Sequence, residues 1–181
     1  MQTYIVLLRG INVGGHRKVP MADLRELLFN LNFLDVKTYI LSGNVVLNSN
    51  DNSKTVRSKI ENAISSHFGF TVVVIVKSPI EFQDIFNASP FSKEKKEKSY
   101  FMLLDANPNK DIVSELSELT YENETFKITE NCIYFFSSVG YGRTKFNANY
   151  FEKKLGVNAS ARNYKTMLKL LEMSFVIQTE Q

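Results

Sequence analysis

An order of strand-like and helix-like stretches that occurs twice constrains this chain more than any other feature. Thr3 to Leu8 is an unbroken β-compatible run and reads as a buried strand. Met21, Leu24, Leu27, Leu28 and Leu31 then recur at helical spacing, with Pro20 suited to the first helical position. Val36 to Leu41 and Asn44 to Leu47 are two short strands about a Ser42-Gly43 turn. Ser53 is placed to cap a second helix, in which Val56, Ile60, Ile64 and Phe68 recur every fourth residue and which Gly69 can end. The nearly pure β-branched run Thr71 to Val76 follows. Strand, helix, strand, strand, helix, strand is the ferredoxin-like βαββαβ pattern.

The pattern then begins again. Ser99-Tyr100-Phe101-Met102-Leu103-Leu104 resembles Thr3-Tyr4-Ile5-Val6-Leu7-Leu8, and Leu155-Gly156-Val157 stands where Phe68-Gly69-Phe70 stood. Between them come a helix face of Ile112, Val113, Leu116 and Leu119, a hairpin of Glu124 to Thr129 and Cys132 to Ser137, and a helix bearing Phe146, Tyr150, Phe151 and Leu155. The expected fold class is α+β: two tandem ferredoxin-like subdomains with antiparallel sheets, plus connecting and C-terminal helices. The division expected is residues 1–78, a connecting helix and exposed charged junction over 79–98, and residues 99–181, with a final helix over Tyr164 to Met173 and a frayed tail from Gln178 to Gln181.

With 181 residues, 44% of them hydrophobic, the chain can bury a real core. Its opening residues lack a basic leader and a cleavage site, so a mature N-terminus is expected. No apolar run approaches the roughly 20 residues that span a bilayer, so no membrane partner is expected. One cysteine, Cys132, excludes an internal disulfide framework and agrees with a cytoplasmic location. The net charge is +3, unevenly spread: Asp105 to Glu130 holds seven acidic and two basic residues, whereas Gly140 to Leu171 holds seven basic residues and Glu152 alone. A solvated lysine-rich surface accounts for this, though such segregation also draws anions to one face.

Three clusters carry candidate chemistry. The first is the acid-free, glycine-containing loop with Arg9, Asn12, Gly14, Gly15, His16, Arg17 and Lys18, between a strand and a helix. Glycine lets backbone approach a ligand, helix starts offer free N–H groups, and a guanidinium grips phosphate or carboxylate. Neither GxGxxG nor GxxxxGK[ST] is met. A surface loop whose glycines only make turns is the plainer account, but connections this long tend to be functional. The second cluster is Ser42-Gly43-Asn44, a hairpin turn by itself; the topology sets the first strand beside the third, bringing Asn44 toward Arg9. The third joins Gly140-Tyr141-Gly142-Arg143-Thr144-Lys145 to Ala159 through Thr166, where Asn163 can cap the last helix and turn its positive end toward Arg162. Capping and surface charge suffice to explain it.

His16 and His67 are the only histidines, and with Cys132 in a strand no set has zinc-ligand spacing, so no metal is expected. No GxSxG elbow occurs, and Cys132 reads as a small buried hydrophobe. His16 is the one acid/base candidate in the loop.

The runs Leu7-Leu8-Arg9-Gly10-Ile11-Asn12-Val13-Gly14-Gly15, Val19-Pro20-Met21, Ser42-Gly43-Asn44-Val45 and Ala161-Arg162-Asn163-Tyr164-Lys165-Thr166 resemble the bacterial domain-of-unknown-function family 1697, with Tyr164 where the family has Trp and Thr144 where it has Ser. The resemblance implies an α+β fold of two related subdomains and carries no activity, so neither a reaction nor a cofactor follows.

The leading expectation is therefore a protein that binds an anionic small molecule, phosphorylated or nucleotide-like, through Arg9, Asn12, Gly14, Gly15, Lys18, Asn44 and Arg162. A nucleic-acid binder is the first alternative, using the basic C-terminal segment with Tyr100, Phe101, Tyr134, Phe135 and Phe136, although the RNA-recognition signature is absent from both halves and burial of these rings is the plainer account. A protein-interaction or regulatory module is the second.

Overall fold

The computed structural model describes residues 1–140 and 144–179. Its elements are β1 (Gln2–Leu8), α1 (Met21–Asn30), β2 (Leu34–Tyr39), β3 (Asn44–Ser49), α2 (Ser53–Phe68), β4 (Val74–Lys77), α3 (Pro79–Asn87), α4 (Lys93–Glu97), β5 (Tyr100–Leu104), α5 (Lys110–Ser117), β6 (Glu124–Ile128), β7 (Cys132–Ser137), α6 (Ala148–Leu155), β8 (Ala159–Asn163) and α7 (Tyr164–Thr179). They form two compact units, Met1–Asp84 with the chain from Leu168 on, and Ile85–Met167.

In the first unit the strand order is β2-β3-β1-β4, every neighbour antiparallel. The second repeats it as β6-β7-β5-β8. The fold is thus α+β, with a ferredoxin-like βαββαβ arrangement made twice. No helix among the described residues is long and apolar enough to cross a membrane.

The unbroken apolar run of β1 has a physical cause. Tyr4, Val6 and Leu8 pack on Leu24 and Leu28 of α1 and on Val56, Ile60 and Ile64 of α2, while Ile5 and Leu7, which alternate to the opposite face, are also buried. Each such fully buried aliphatic contributes about 1.5–3 kcal/mol relative to exposure. In the second unit Met102, Leu104, Ile133 and Phe135 pack on Phe151 and Leu155. Phe146 stacks on Phe151 there, centroids 4.3 Å apart. Gly69 and Gly156, both left-handed, end α2 and α6 at corresponding places, as the duplicated Phe-Gly and Leu-Gly pairs imply.

Several boundaries differ from expectation for local reasons. Pro20 is the cap before α1 rather than its first residue, because the Leu24 amide already bonds to the Pro20 carbonyl. Asn52, not Ser53, caps α2 by accepting from the Thr55 amide at 2.9 Å. β2 ends at Tyr39 rather than Leu41 because Ile40 turns to a φ of +49°. The charged stretch after Ser92 winds into the short, mostly exposed α4, with the Lys96 ammonium 4.0 Å from the centre of the Phe86 ring. The polar segment around Arg162 is the strand β8, and α7 continues past Met173 to Thr179. The expectations for Tyr141, Gly142 and Arg143, and for the end of the frayed tail at Glu180 and Gln181, lie outside the described residues.

Candidate functional site

The C-terminal end of β1 meets three other segments. On one side the Leu8 amide donates to the Gly43 carbonyl at 2.7 Å, and Leu7 pairs with Asn44 of β3. Gly43 sits at a φ of +73°, and a Cβ there would stand 2.7 Å from both Cβ and the carbonyl oxygen of Leu8. Only glycine lets the hairpin come this close. On the other side the Arg9 amide donates to the Val73 carbonyl at 3.0 Å, joining β1 to the segment that enters β4.

The loop after Arg9 is a miniature hairpin. Asn12 donates its amide to the Arg17 carbonyl, and His16 donates to that of Val13. Gly14 and Gly15 at its tip have φ values of +58° and +79°, the pair of positive angles that a tight primed turn demands. Asn12 fastens the hairpin down. Its Oδ1 accepts from the Val19 amide at 2.8 Å, while Nδ2 donates to the carbonyls of Val19 at 2.9 Å and Leu41 at 2.8 Å. Lys18 lies exposed beside it. Asn44 is fully buried, and its Nδ2 donates to the Tyr39 carbonyl at 3.1 Å and to Ser42 Oγ at 2.9 Å, closing the β2–β3 turn. The two asparagines singled out in the sequence thus use their side-chain amides to shape backbone.

A groove of about 440 Å³ opens where β1, the loop hairpin, α2 and the approach to β4 converge, lined by Arg9, Arg17, Glu61, Asn62, Ser65 and Thr71 among others. Two guanidinium groups supply its positive charge. Glu61 supplies the opposing charge, but its Oε1 already accepts from Arg57 Nε at 3.0 Å and from the Val74 amide at 3.3 Å. That carboxylate holds α2 against the start of β4, leaving Asn62, Ser65 and Thr71 as neutral hydrogen-bonding groups along the wall.

Arg162 belongs to the second unit, and its surroundings are unlike a surface charge. It stands opposite Phe101 in β8, on the sheet face shared with Ser160 and Tyr134. Its Nη1 donates to Ser160 Oγ at 2.9 Å and to the Ala161 carbonyl at 2.7 Å. Burial pulls its pKa down to about 10, because a charge withdrawn from water is costly. Asn163 caps α7 as expected, accepting from the Thr166 amide at 2.9 Å.

Arg9 and the loop stand out in the sequence, whereas Asn62, Ser65 and Thr71 do not. Their signal was topological: in this strand order the end of β1 lies beside the start of β4, which follows directly on the end of α2. Among the described residues no three His, Cys, Asp or Glu side chains gather as metal ligands would.

Among solved structures, the conserved bacterial protein SP0830 from Streptococcus pneumoniae is similar over 94% of this chain and 97% of its own, with 27% identity and a TM-score of 0.76. An unknown protein from Galdieria sulphuraria aligns over 90% of this chain and 98% of its own, with 13% identity and a TM-score of only 0.27. No curated protein matches. Residues 1–134, which include β1, the loop hairpin and every side chain that lines the groove, match the family described as proteins of unknown function, DUF1697, and the chain belongs to that family.

Proposed function

We propose that the groove beside Arg9 binds a small anionic metabolite carrying a phosphate or carboxylate. The observation that carries this reading is the convergence of Arg9 and Arg17 on one cavity whose other polar walls are Asn62, Ser65 and Thr71. Guanidinium forks meet the oxygens of a phosphate in bidentate fashion, and the amide and hydroxyls suit the neutral hydroxyls of a sugar or polyol. Gly14, Gly15, Asn12 and Asn44 contribute by setting the backbone that aims the two arginines, and Lys18 adds positive potential from outside. The reading is of binding. A reducing, cytoplasmic setting in a bacterium belongs to the same reading, supported by the single, buried Cys132 and by the bacterial structural neighbour.

Stacking of nucleic acid is not favoured, because Phe101, Tyr134 and Phe135 are no more than 1% exposed. The test is thermal stability in the presence of inorganic phosphate, sugar phosphates and nucleotides. A ligand at a hundred times its Kd stabilises by about 2.7 kcal/mol, and Arg9→Ala and Arg17→Ala should each remove most of that gain. The reading fails when no anion stabilises the wild type, or when the Arg9→Ala protein is stabilised equally.

A further inference from the structure

Three exposed aliphatic side chains stand at the same end of the first sheet, and the backbone is shaped to hold them there. Ile40 and Leu41, at the tip of the β2–β3 hairpin, are 52% and 66% exposed, and Val13, on the loop hairpin, is 64% exposed. The bond from Asn12 Nδ2 to the Leu41 carbonyl ties the two tips together, and the contact of Gly43 with Leu8 seats the hairpin on β1. Ile40 is the telling residue. Its φ of +49° is a conformation that glycine or asparagine adopts readily and a β-branched residue does not. Half exposed, its side chain gains little from the core in return. Strain of this kind persists where surrounding structure enforces it, and it clusters at functional surfaces.

The charge carried by the two tip segments themselves has one sign, and Glu61, which lines the groove with Arg17, accepts from Arg57 and the Val74 amide. His16, Arg17 and Lys18 are exposed, the chain has no acidic residue before Asp23, and none occurs from Val36 to Asn50. We propose that this end of the first unit docks on an anionic lipid bilayer, with Val13, Ile40 and Leu41 entering the boundary between headgroups and acyl chains and the basic residues meeting the lipid phosphates. The expectation of no membrane partner concerned spanning segments, whereas this surface would only rest on the bilayer. Charge complementarity selects the occupant. A second copy docking tip to tip would oppose two basic rims, and the tips are projecting aliphatics without the aromatic anchors that dominate protein interfaces. The proposal goes beyond the anion-binding groove and is tested at residues outside it.

The experiment is co-sedimentation of the full chain with vesicles of equal parts phosphatidylglycerol and phosphatidylcholine, and with vesicles of phosphatidylcholine alone, at low and high salt. The wild type should sediment with the anionic vesicles, far less with the neutral ones, and less as salt rises. Leu41→Asn and Val13→Asn should each weaken binding about tenfold, and Lys18→Gln about fivefold. Ile40→Gly separates docking from folding: the variant should resist urea better than the wild type yet bind anionic vesicles about tenfold less. Equal binding to both vesicle types overturns the proposal, as does no binding at low salt, or wild-type binding by the Ile40→Gly and Leu41→Asn proteins. An acidic protein that competes for this end of the unit while vesicles do not bind would overturn it in favour of a protein interface.

Discussion

Replacing Gly43 by alanine tests the joint on which the site is built. The residue occupies the left-handed region at +73°, which costs an L-amino acid about 1–2 kcal/mol. The added methyl would also meet Cβ and the carbonyl oxygen of Leu8 at 2.7 Å, and backbone cannot swing aside as a lysine tip can. Forced overpacking of this kind costs about 1–3 kcal/mol more, so the total is about 2–5 kcal/mol. Gly15→Ala is the internal control, since its φ is +79° and nothing lies within 4 Å of its Cβ position; it should cost about 1–2 kcal/mol, from the backbone conformation alone. Urea unfolding of the two variants alongside the wild type isolates the steric part as their difference. Anion stabilisation should also weaken in Gly43→Ala, because moving the end of β1 moves Arg9. Equal losses for the two substitutions, or less than about 1 kcal/mol for Gly43→Ala, would refute the claim that close approach of the β2–β3 hairpin fixes this end of the sheet.

Asn12→Ala should cost about 1–2 kcal/mol in urea unfolding, by leaving the Val19 amide and the carbonyls of Val19 and Leu41 without their side-chain partner, and hydrogen exchange at Val19 should quicken. Asn109→Ala, which deletes the oxygen that accepts from the Asp111 and Ile112 amides, should cost about 1 kcal/mol and show as increased exchange confined to the first turn of α5. Tyr134 donates to the Ile85 carbonyl at 2.8 Å, and burial drives its pKa upward. Its protonated form is favoured in the folded state, so stability is fully present below pH 10 and falls as pH rises from there toward the folded value. Unfolding free energies measured from neutral to strongly alkaline pH should decline less steeply in Tyr134→Phe than in the wild type.

Apolar patterning made most of the first unit legible, because β1 is an unbroken buried run and α1 and α2 bury apolar faces that recur at three and four residues. β8 was hidden for the opposite reason: Ala159-Ser160-Ala161-Arg162-Asn163 offers no β-branched or aromatic residue, and its place beside β5 is decided by tertiary pairing. Arg162 read as a ligand for the anion or, more plainly, as surface charge, because composition cannot show that a guanidinium is buried. The end of β2 moved because the conformation of Ile40 defies its own propensity, which no pattern anticipates. At the site, the arginines were visible as an acid-free run. The rest of the groove was not, since Asn62 and Ser65 are ordinary polar helix positions until the topology brings Arg9 to the same groove.

The division of the chain bears on the order in which the protein is made. The first unit comprises Met1–Asp84 but also the segment from Leu168, whose Leu170, Leu171, Ser174 and Ile177 are buried. All of the second unit lies between these two pieces. A ribosome therefore delivers every residue of the second unit before it delivers the part that completes the first. The apolar core of the first unit is drawn from residues between Tyr4 and Val76, so its sheet and two helices can close before the second unit is made, and the segment from Leu168 is added last.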